Sequence, residues 1–172
     1  MEAKTVIELL KVFAENDIDT VVDGGWGVDA LLGRQTRPHE DLDIAIPHKD
    51  VLKIRKLLTD RGFNDVPRDD TRDCNFVLGD SLGNSVDVHS YKFDEQGNNI
   101  FGVAYLPEYF TGTGTIDGYP VKCISAEWTV KFHVGYELDD NDFSDILAVC
   151  QHFNIPLPKE YDKFMNQNEQ KG

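Results

Sequence analysis

The sequence predicts an α+β protein, in which a small mixed sheet with flanking helices is followed by a C-terminal helical segment. Three observations carry this. Short β-branched runs and acid–apolar alternations recur through the first 120 residues. Stretches of helical periodicity separate them. Two consecutive helical patterns then occupy residues 126–153. The 172 residues suit one domain, or one domain with a small appendage. The expected division is 1–120 and 121–172, packed as one unit.

The elements follow in order. Val6, Leu9, Leu10 and Phe13 recur at helical spacing, so residues 4–16 read as an amphipathic helix. Thr20-Val21-Val22 reads as a short strand, stopped by Gly24-Gly25. Trp26–Leu32 can form a short helix that Gly33 terminates. From Asp41, acidic and apolar residues alternate through Ile46, as in a strand with one wet face, and Pro47 ends it. Lys49–Arg61 is the clearest helix, with Val51, Ile54, Leu57 and Leu58 on one face. Phe76-Val77-Leu78 and Val86-Asp87-Val88 read as two strands joined through the turn-rich Asp80–Asn84. Residues 91–118 scatter Gly, Thr and aromatic residues without a readable period. Tyr119–Ile124 reads as a strand and Ser125 as the N-cap of a helix over Ala126–Tyr136. A second helix begins at Asp140, with Ile146, Val149, Cys150 and Phe153 on one face, and Pro156 and Pro158 end it. The tail from Asn166 is expected to fray.

Charge restricts the partners. With 31 acidic against 17 basic residues the net charge is −14. No basic stripe is available for nucleic acid, and an anionic membrane surface would repel the chain. No apolar run reaches membrane-spanning length, and Met1–Leu10 lacks the layout of a signal peptide. Cys74, Cys123 and Cys150 form no CxxC pair. Three reduced thiols in a cytoplasmic protein are expected.

The chemistry concentrates in Asp23-Gly24-Gly25-Trp26-Gly27-Val28-Asp29 and Arg37-Pro38-His39-Glu40-Asp41-Leu42-Asp43. Residues two apart on a strand share a face, so the carboxylates of Asp41 and Asp43 lie near each other. Two like charges about 4 Å apart repel by roughly 4 kcal/mol at an effective dielectric of 20. Such a pair is tolerated where both groups are solvated or where a cation lies between them, and one or two carboxylates with retained waters suit Mg²⁺. Asp17-Ile18-Asp19 has the same spacing in what reads as a turn, so the spacing alone does not specify a metal site. Gly24-Gly25, after a strand and before a helix, lets backbone N–H groups approach a phosphate, or forms an ordinary tight turn. Asp87 alternates with Val86 and Val88. If the valines pack inward, Asp87 faces the open side of the sheet, where an adjacent strand would carry it to Asp41 and Asp43.

Gly24-Gly25-Trp26, the run Arg37-x-His39-x-Asp41-x-Asp43 and a lone strand aspartate together resemble the polymerase-β-like nucleotidyltransferase superfamily. More narrowly, Asp23–Asp43 is similar to the short antibiotic nucleotidyltransferases, namely the lincosamide nucleotidyltransferases and the aminoglycoside 2″-adenylyltransferases. Cys123-Ile124-Ser125-x-Glu127, Phe132-His133-x-Gly135-Tyr136-Glu137-Leu138 and Val86-Asp87-Val88-His89 favour the lincosamide branch. The resemblance covers about residues 5–150, interrupted.

It implies a nucleoside triphosphate, ATP by preference, bound with Mg²⁺ at Asp41, Asp43 and Asp87, and Asp87 acting also as general base. An acceptor hydroxyl attacks the α-phosphorus and expels pyrophosphate. Gly24 and Gly25 are expected along the triphosphate. Arg37 and His39 either contact phosphate or brace the loop, and Lys131 either neutralises phosphate or is a solvated surface lysine. Asp29 could support the glycine turn. Trp26 is a core plug or a wall of the site. His89, on the third-carboxylate strand, is a candidate for substrate contact, and His133 is structural or faces the cleft and the substrate. Tyr105, Glu108, Tyr109 and Phe110 are candidates for acceptor contacts. The acceptor expected is a lincosamide; an aminoglycoside is the alternative, and a non-catalytic nucleotidyltransferase-like binding or antitoxin module is a third reading. A homodimer is expected from the family and from the apolar stripe of the C-terminal helix.

Overall fold

Helix α1, Ala3–Glu15, forms because Val6, Leu9, Leu10 and Phe13 line one buried stripe. The structure, a computed structural model, describes residues 1–169. Asp17 turns the chain at φ +54° into β1, Val21–Val22. Helix α2, Gly24–Leu32, starts on the Asp23 side chain, which accepts from the Gly24 N–H, and closes at Gly33. It includes the glycine pair that was expected to precede it. Strand β2 is Asp41–Pro47. A short 3₁₀ turn, His48–Asp50, leads into α3, Val51–Thr59, so this helix is shorter at both ends than its apolar pattern suggested. Strands β3 (Asn64–Val66), β4 (Asn75–Gly79) and β5 (Ser85–Phe93) follow.

The stretch without a readable period folds by pairing. It completes β5, adds β6 (Asn99–Gly102), a 3₁₀ turn (Pro107–Thr111) and β7 (Gly112–Ile116), and leads into β8 (Tyr119–Cys123). Helix α4 spans Ala126–Phe132 and stops four residues before Tyr136. His133 leaves the helical region at ψ +41°, its Nδ1 bonds to the Thr129 carbonyl, and Gly135 turns the chain at φ +89°. Ser125 occupies the N-cap position without a side-chain bond. Helix α5, Asp140–Phe153, begins with a reciprocal capping box of Asp139 and Asp142. It ends at Asn154, before either proline, and Phe153 lies exposed rather than on the buried face. Helix α6, Asp162–Glu169, continues past Asn166; the remainder of the tail expected to fray, 170–172, lies outside the described residues.

The strands order as β3-β4-β5-β2-β1-β8-β7, with β6 on β5. Strands expected from sequence form the centre, and the additional β3, β6 and β7 extend the sheet. Residues on both sides of position 120 share this sheet and its core. β2 and β5 pair in parallel over seven residues, placing Asp43 opposite Asp87 and Ala45 opposite His89. Leu42, Ile44, Val86 and Val88 are fully buried on one face, in a core shared with α1, α2, α3 and α5. The opposite face carries a second, smaller cluster of Val21, Ala45, Tyr91, Tyr105, Tyr109 and Ile124, with Trp128 and Phe132 against it. All three cysteines are free, and burial pushes the Cys123 thiol up to about 12. No described helix is long and apolar enough to cross a membrane.

Ile146 of α5 is fully buried in the large core. Ile146→Ala is expected to cost about 2–4 kcal/mol through lost burial and the cavity left behind, read as a lower urea midpoint with the slope unchanged.

Candidate active site

Alternation along β2 and β5 builds the acidic face. With Leu42, Ile44, Val86 and Val88 turned into the core, Asp41, Asp43, Asp87 and His89 point the other way. Asp43 and Asp87 are direct neighbours across the parallel ladder. Burial, then the charges of Asp41, Asp23 and Asp87, hold the Asp43 carboxyl well above the usual carboxylate range. Burial also raises Asp87, although His89 and Arg68 pull it down.

Asp87 has distinct environments at its two oxygens. Oδ2 accepts from Arg68 Nη1 at 3.0 Å. Oδ1 faces His89 Nε2 at 3.4 Å and is buried without a hydrogen-bond partner. His89 Nδ1 lies 3.1 Å from the Tyr105 hydroxyl, and that hydroxyl donates to Asp23 Oδ2 at 3.2 Å.

The glycine turn lies against these carboxylates. Asp23 Oδ1 accepts the Gly24 N–H at 2.8 Å, and the Asp23 N–H donates to the Asp43 carbonyl at 2.9 Å. Gly24 adopts φ +57°, and a Cβ there would lie 2.0 Å from Asp43 Oδ2. A Cβ on Gly25 would lie 2.3 Å from His39 Nδ1. Both positions therefore require the absence of a side chain.

Arg37 and His39 are engaged with protein groups. Arg37 Nε and Nη2 form a fork on Asp145 of α5 at 3.1 and 2.8 Å. His39 Nε2 donates to the buried Asp29 Oδ2 at 2.5 Å, and Asp29 Oδ1 accepts from the Thr36 backbone and hydroxyl at 2.9 and 2.6 Å. Both residues brace the loop before β2, and Asp29 supports that loop. Trp26 is 1 % exposed, inside the large core rather than on the acidic face.

The remaining expected residues divide. Tyr105 belongs to the acidic face and is buried there. Tyr109 and Phe110 pack in the same aromatic cluster. Glu108 is exposed on the 3₁₀ turn. Lys131 stacks on Trp128, its Nζ 3.8 Å from the ring centroid. His133 is held by the Thr129 carbonyl, and its own carbonyl accepts from Tyr161, a structural arrangement. In Asp17-Ile18-Asp19, Asp17 turns the chain, Ile18 is buried in the large core and Asp19 pairs with Lys122.

Three contributors escaped sequence reasoning. An acid between a strand and Gly-Gly is an N-cap signal, which could have singled out Asp23. Arg68 and Asp145 carry no local signal, because their partners are distant in sequence.

Among the described residues, no three His, Cys, Asp or Glu side chains are already gathered as a metal cage. The donors present nevertheless fit a hard divalent cation. Asp41 and Asp43 supply carboxylate oxygens, and mutual repulsion at Asp43 favours a positive charge beside them. Mg²⁺ commonly takes one or two protein carboxylates and completes its shell with substrate phosphates and water.

Gly24→Ala is expected to destabilise the protein by about 1–3 kcal/mol, from left-handed strain, and to reduce activity; denaturant titration and an assay check this. Arg37→Met leaves the buried Asp145 carboxylate without its fork and is expected to cost about 2 kcal/mol. For Asp43 the folded carboxyl binds its proton more tightly than the unfolded one. Its contribution to stability is therefore present below about pH 4 and lost as pH rises toward its raised folded value. In chelator at neutral pH, Asp43→Asn is expected to stabilise the fold, read as a higher urea midpoint with the slope unchanged.

Residues 5–149 match the model of the aminoglycoside-2″-adenylyltransferase family. A lincosamide resistance protein of Staphylococcus haemolyticus is 31% identical over 150 residues, covering 83% of this chain and 91% of the relative. A 2″-aminoglycoside nucleotidyltransferase of Escherichia coli is 38% identical over 137 residues, covering 74% and 71%. Among solved structures, the lincosamide antibiotic adenylyltransferase LnuA with lincomycin bound superposes at a TM-score of 0.76 and 25% identity, covering 87% of this chain and 96% of that one. ANT(2″)-Ia in complex with adenylyl-2″-tobramycin has the same fold, at a TM-score of 0.72 and 18% identity, covering 88% of each chain. The chain belongs to the aminoglycoside-2″-adenylyltransferase family of nucleotidyltransferases.

Proposed function

We propose that this protein is an antibiotic nucleotidyltransferase that moves AMP from ATP to a hydroxyl of a lincosamide, with Mg²⁺ and release of pyrophosphate. The observation that carries the reading is the β2–β5 register, which sets Asp87 opposite Asp43 with its Oδ1 unpartnered.

Asp41 and Asp43 would hold the cation, which when bound supplies charge neutralisation at the phosphates. Gly24 and Gly25 would lie along the triphosphate, where no Cβ obstructs it. Asp87 Oδ1 receives the proton of the acceptor hydroxyl. The hydroxyl oxygen forms its bond to the α-phosphorus as the α–β anhydride bond breaks, and pyrophosphate leaves with that electron pair. Arg37 and His39 act by keeping the loop before β2 in place. Lys131, on the Trp128 ring, is a point charge available to an anionic substrate.

Two observations favour the lincosamide: the Phe132-His133-x-Gly135-Tyr136 run, and the 91% coverage of the Staphylococcus haemolyticus relative. An aminoglycoside is the second reading, supported by the matching family model and by a net charge of −14 that attracts polycations. A homodimer, expected from the C-terminal helical stripe, is checked by light scattering at micromolar protein.

Purified protein is incubated with ATP, Mg²⁺ and either lincomycin or tobramycin, with pyrophosphate release as the readout. Release with lincomycin is expected, and turnover with tobramycin alone would reassign the acceptor. Asp41→Asn and Asp43→Asn are each expected to lower the rate by at least about a hundredfold.

A further inference from the structure

The acidic face carries one charged side chain that the proposed reaction does not use. Arg68 Nη1 donates to Asp87 Oδ2 at 3.0 Å. Asp87 is paired with Asp43 across the ladder, and the guanidinium charge acts on both carboxylates. Two other cations expected near the triphosphate are engaged with protein groups, Arg37 with Asp145 and Lys131 with the Trp128 ring.

Arg68 is fixed at its backbone and free at its tip. Its N–H donates to Thr71 Oγ1 at 2.8 Å, and its carbonyl accepts from the Thr71 N–H at 3.1 Å. Arg72 and Asn75 exchange backbone hydrogen bonds, and Asn75 Nδ2 donates to Asp70 Oδ2. β4 begins at Asn75, and its Val77 lies opposite Asp87. The loop before β4 therefore carries Arg68 to the acidic face through its own backbone contacts. The Arg68 side chain is 46 % exposed. A guanidinium has five N–H donors, and among the described residues only Nη1 of Arg68 donates to a protein group.

Two cations share this face only at a cost. A divalent ion at Asp41 and Asp43 meets the Arg68 charge on the adjacent strand's carboxylate, and like charges repel strongly where water is partly excluded. A nucleotide changes the balance. Its phosphates offer oxygens in the bidentate geometry that suits a guanidinium. Arg68 then gains a partner, and its repulsion of the ion is offset. Arg68 thus weakens the binding of a bare ion more than that of an ion accompanied by a triphosphate.

We propose that Arg68 is a further nucleotide-binding residue, whose charge on Asp87 makes cation binding depend on the nucleotide. This rests on the reading of Asp41 and Asp43 as the cation site. Linkage is reciprocal, so the same residue makes nucleotide binding depend on the ion.

Mn²⁺ binding by the full chain, followed by electron paramagnetic resonance with and without a non-hydrolysable ATP analogue, measures this coupling without turnover. In Arg68→Gln the affinity for Mn²⁺ alone is expected to rise about tenfold. The gain in Mn²⁺ affinity on adding the analogue is expected to shrink about tenfold, and the analogue to bind at least about tenfold more weakly at saturating Mn²⁺. Arg68→Lys keeps the charge and loses the fork, so Mn²⁺ alone is expected to bind as in wild type and the analogue more weakly. Arg72 is exposed on the same loop; Arg72→Gln removes an equal charge and is expected to match wild type. Circular dichroism checks that each variant is folded. Wild-type affinity of Arg68→Gln for Mn²⁺ alone overturns the inference, as does an equal gain in Arg72→Gln or undiminished binding of the analogue by Arg68→Gln. A wild type that binds neither Mn²⁺ nor the analogue refutes the proposed function together with the inference. A wild type that binds both, with the coupling unaltered in Arg68→Gln, refutes the inference alone.

Discussion

Everything on the acidic face depends on the parallel pairing of β2 with β5. The ladder runs seven residues in register, from Asp41 beside Ser85 to Pro47 beside Tyr91. A slip of one residue on a strand would send its whole alternating set to the other face, burying Asp87 or Asp43 in the core and exposing Val86, Val88, Leu42 or Ile44. The large core thus fixes the register, and the register sets two carboxylates side by side. Like charges directly opposite on adjacent strands oppose each other, so the site is a built-in conflict that the fold holds in place.

The surroundings of that conflict divide into two kinds of support. Close to it, Arg68 takes one oxygen of Asp87 and the Asp23–Tyr105–His89 chain orders the group near the other. Farther out, the Arg37–Asp145 fork and the His39–Asp29–Thr36 network hold the loop that feeds into β2. The outer contacts link α2, the loop and α5, so the C-terminal helical segment takes part in shaping the site even though it supplies none of the three carboxylates.

The local pattern revealed what one strand can reveal. Val86-Asp87-Val88 alternates, and Asp41-Leu42-Asp43 alternates, so the two inward faces and the three outward acids were legible in the alternation itself. The glycine pair was legible as a close approach; Gly24 approaches the Asp43 side chain and Gly25 that of His39. The partners of Arg37 and His39 were not legible. Arg37 meets a residue 108 positions away, and His39 meets Asp29 across a loop whose path no periodicity records. Residues 91–118 were opaque for the same reason: β6 and β7 exist through their pairing with β5 and β8, not through alternation of their own. Tyr105 therefore entered as a candidate acceptor contact, and only the folded chain shows its hydroxyl between Asp23 and His89.

The central claim is that the paired carboxylates of β2 form the cation site of a nucleotidyltransferase. Binding of Mn²⁺ in place of Mg²⁺, followed by electron paramagnetic resonance with a non-hydrolysable ATP analogue present, tests it without any antibiotic. Wild type is expected to bind the ion tightly, and Asp41→Asn to lose most of that binding while remaining folded. Equal binding by wild type and Asp41→Asn, or no binding by wild type, would contradict it.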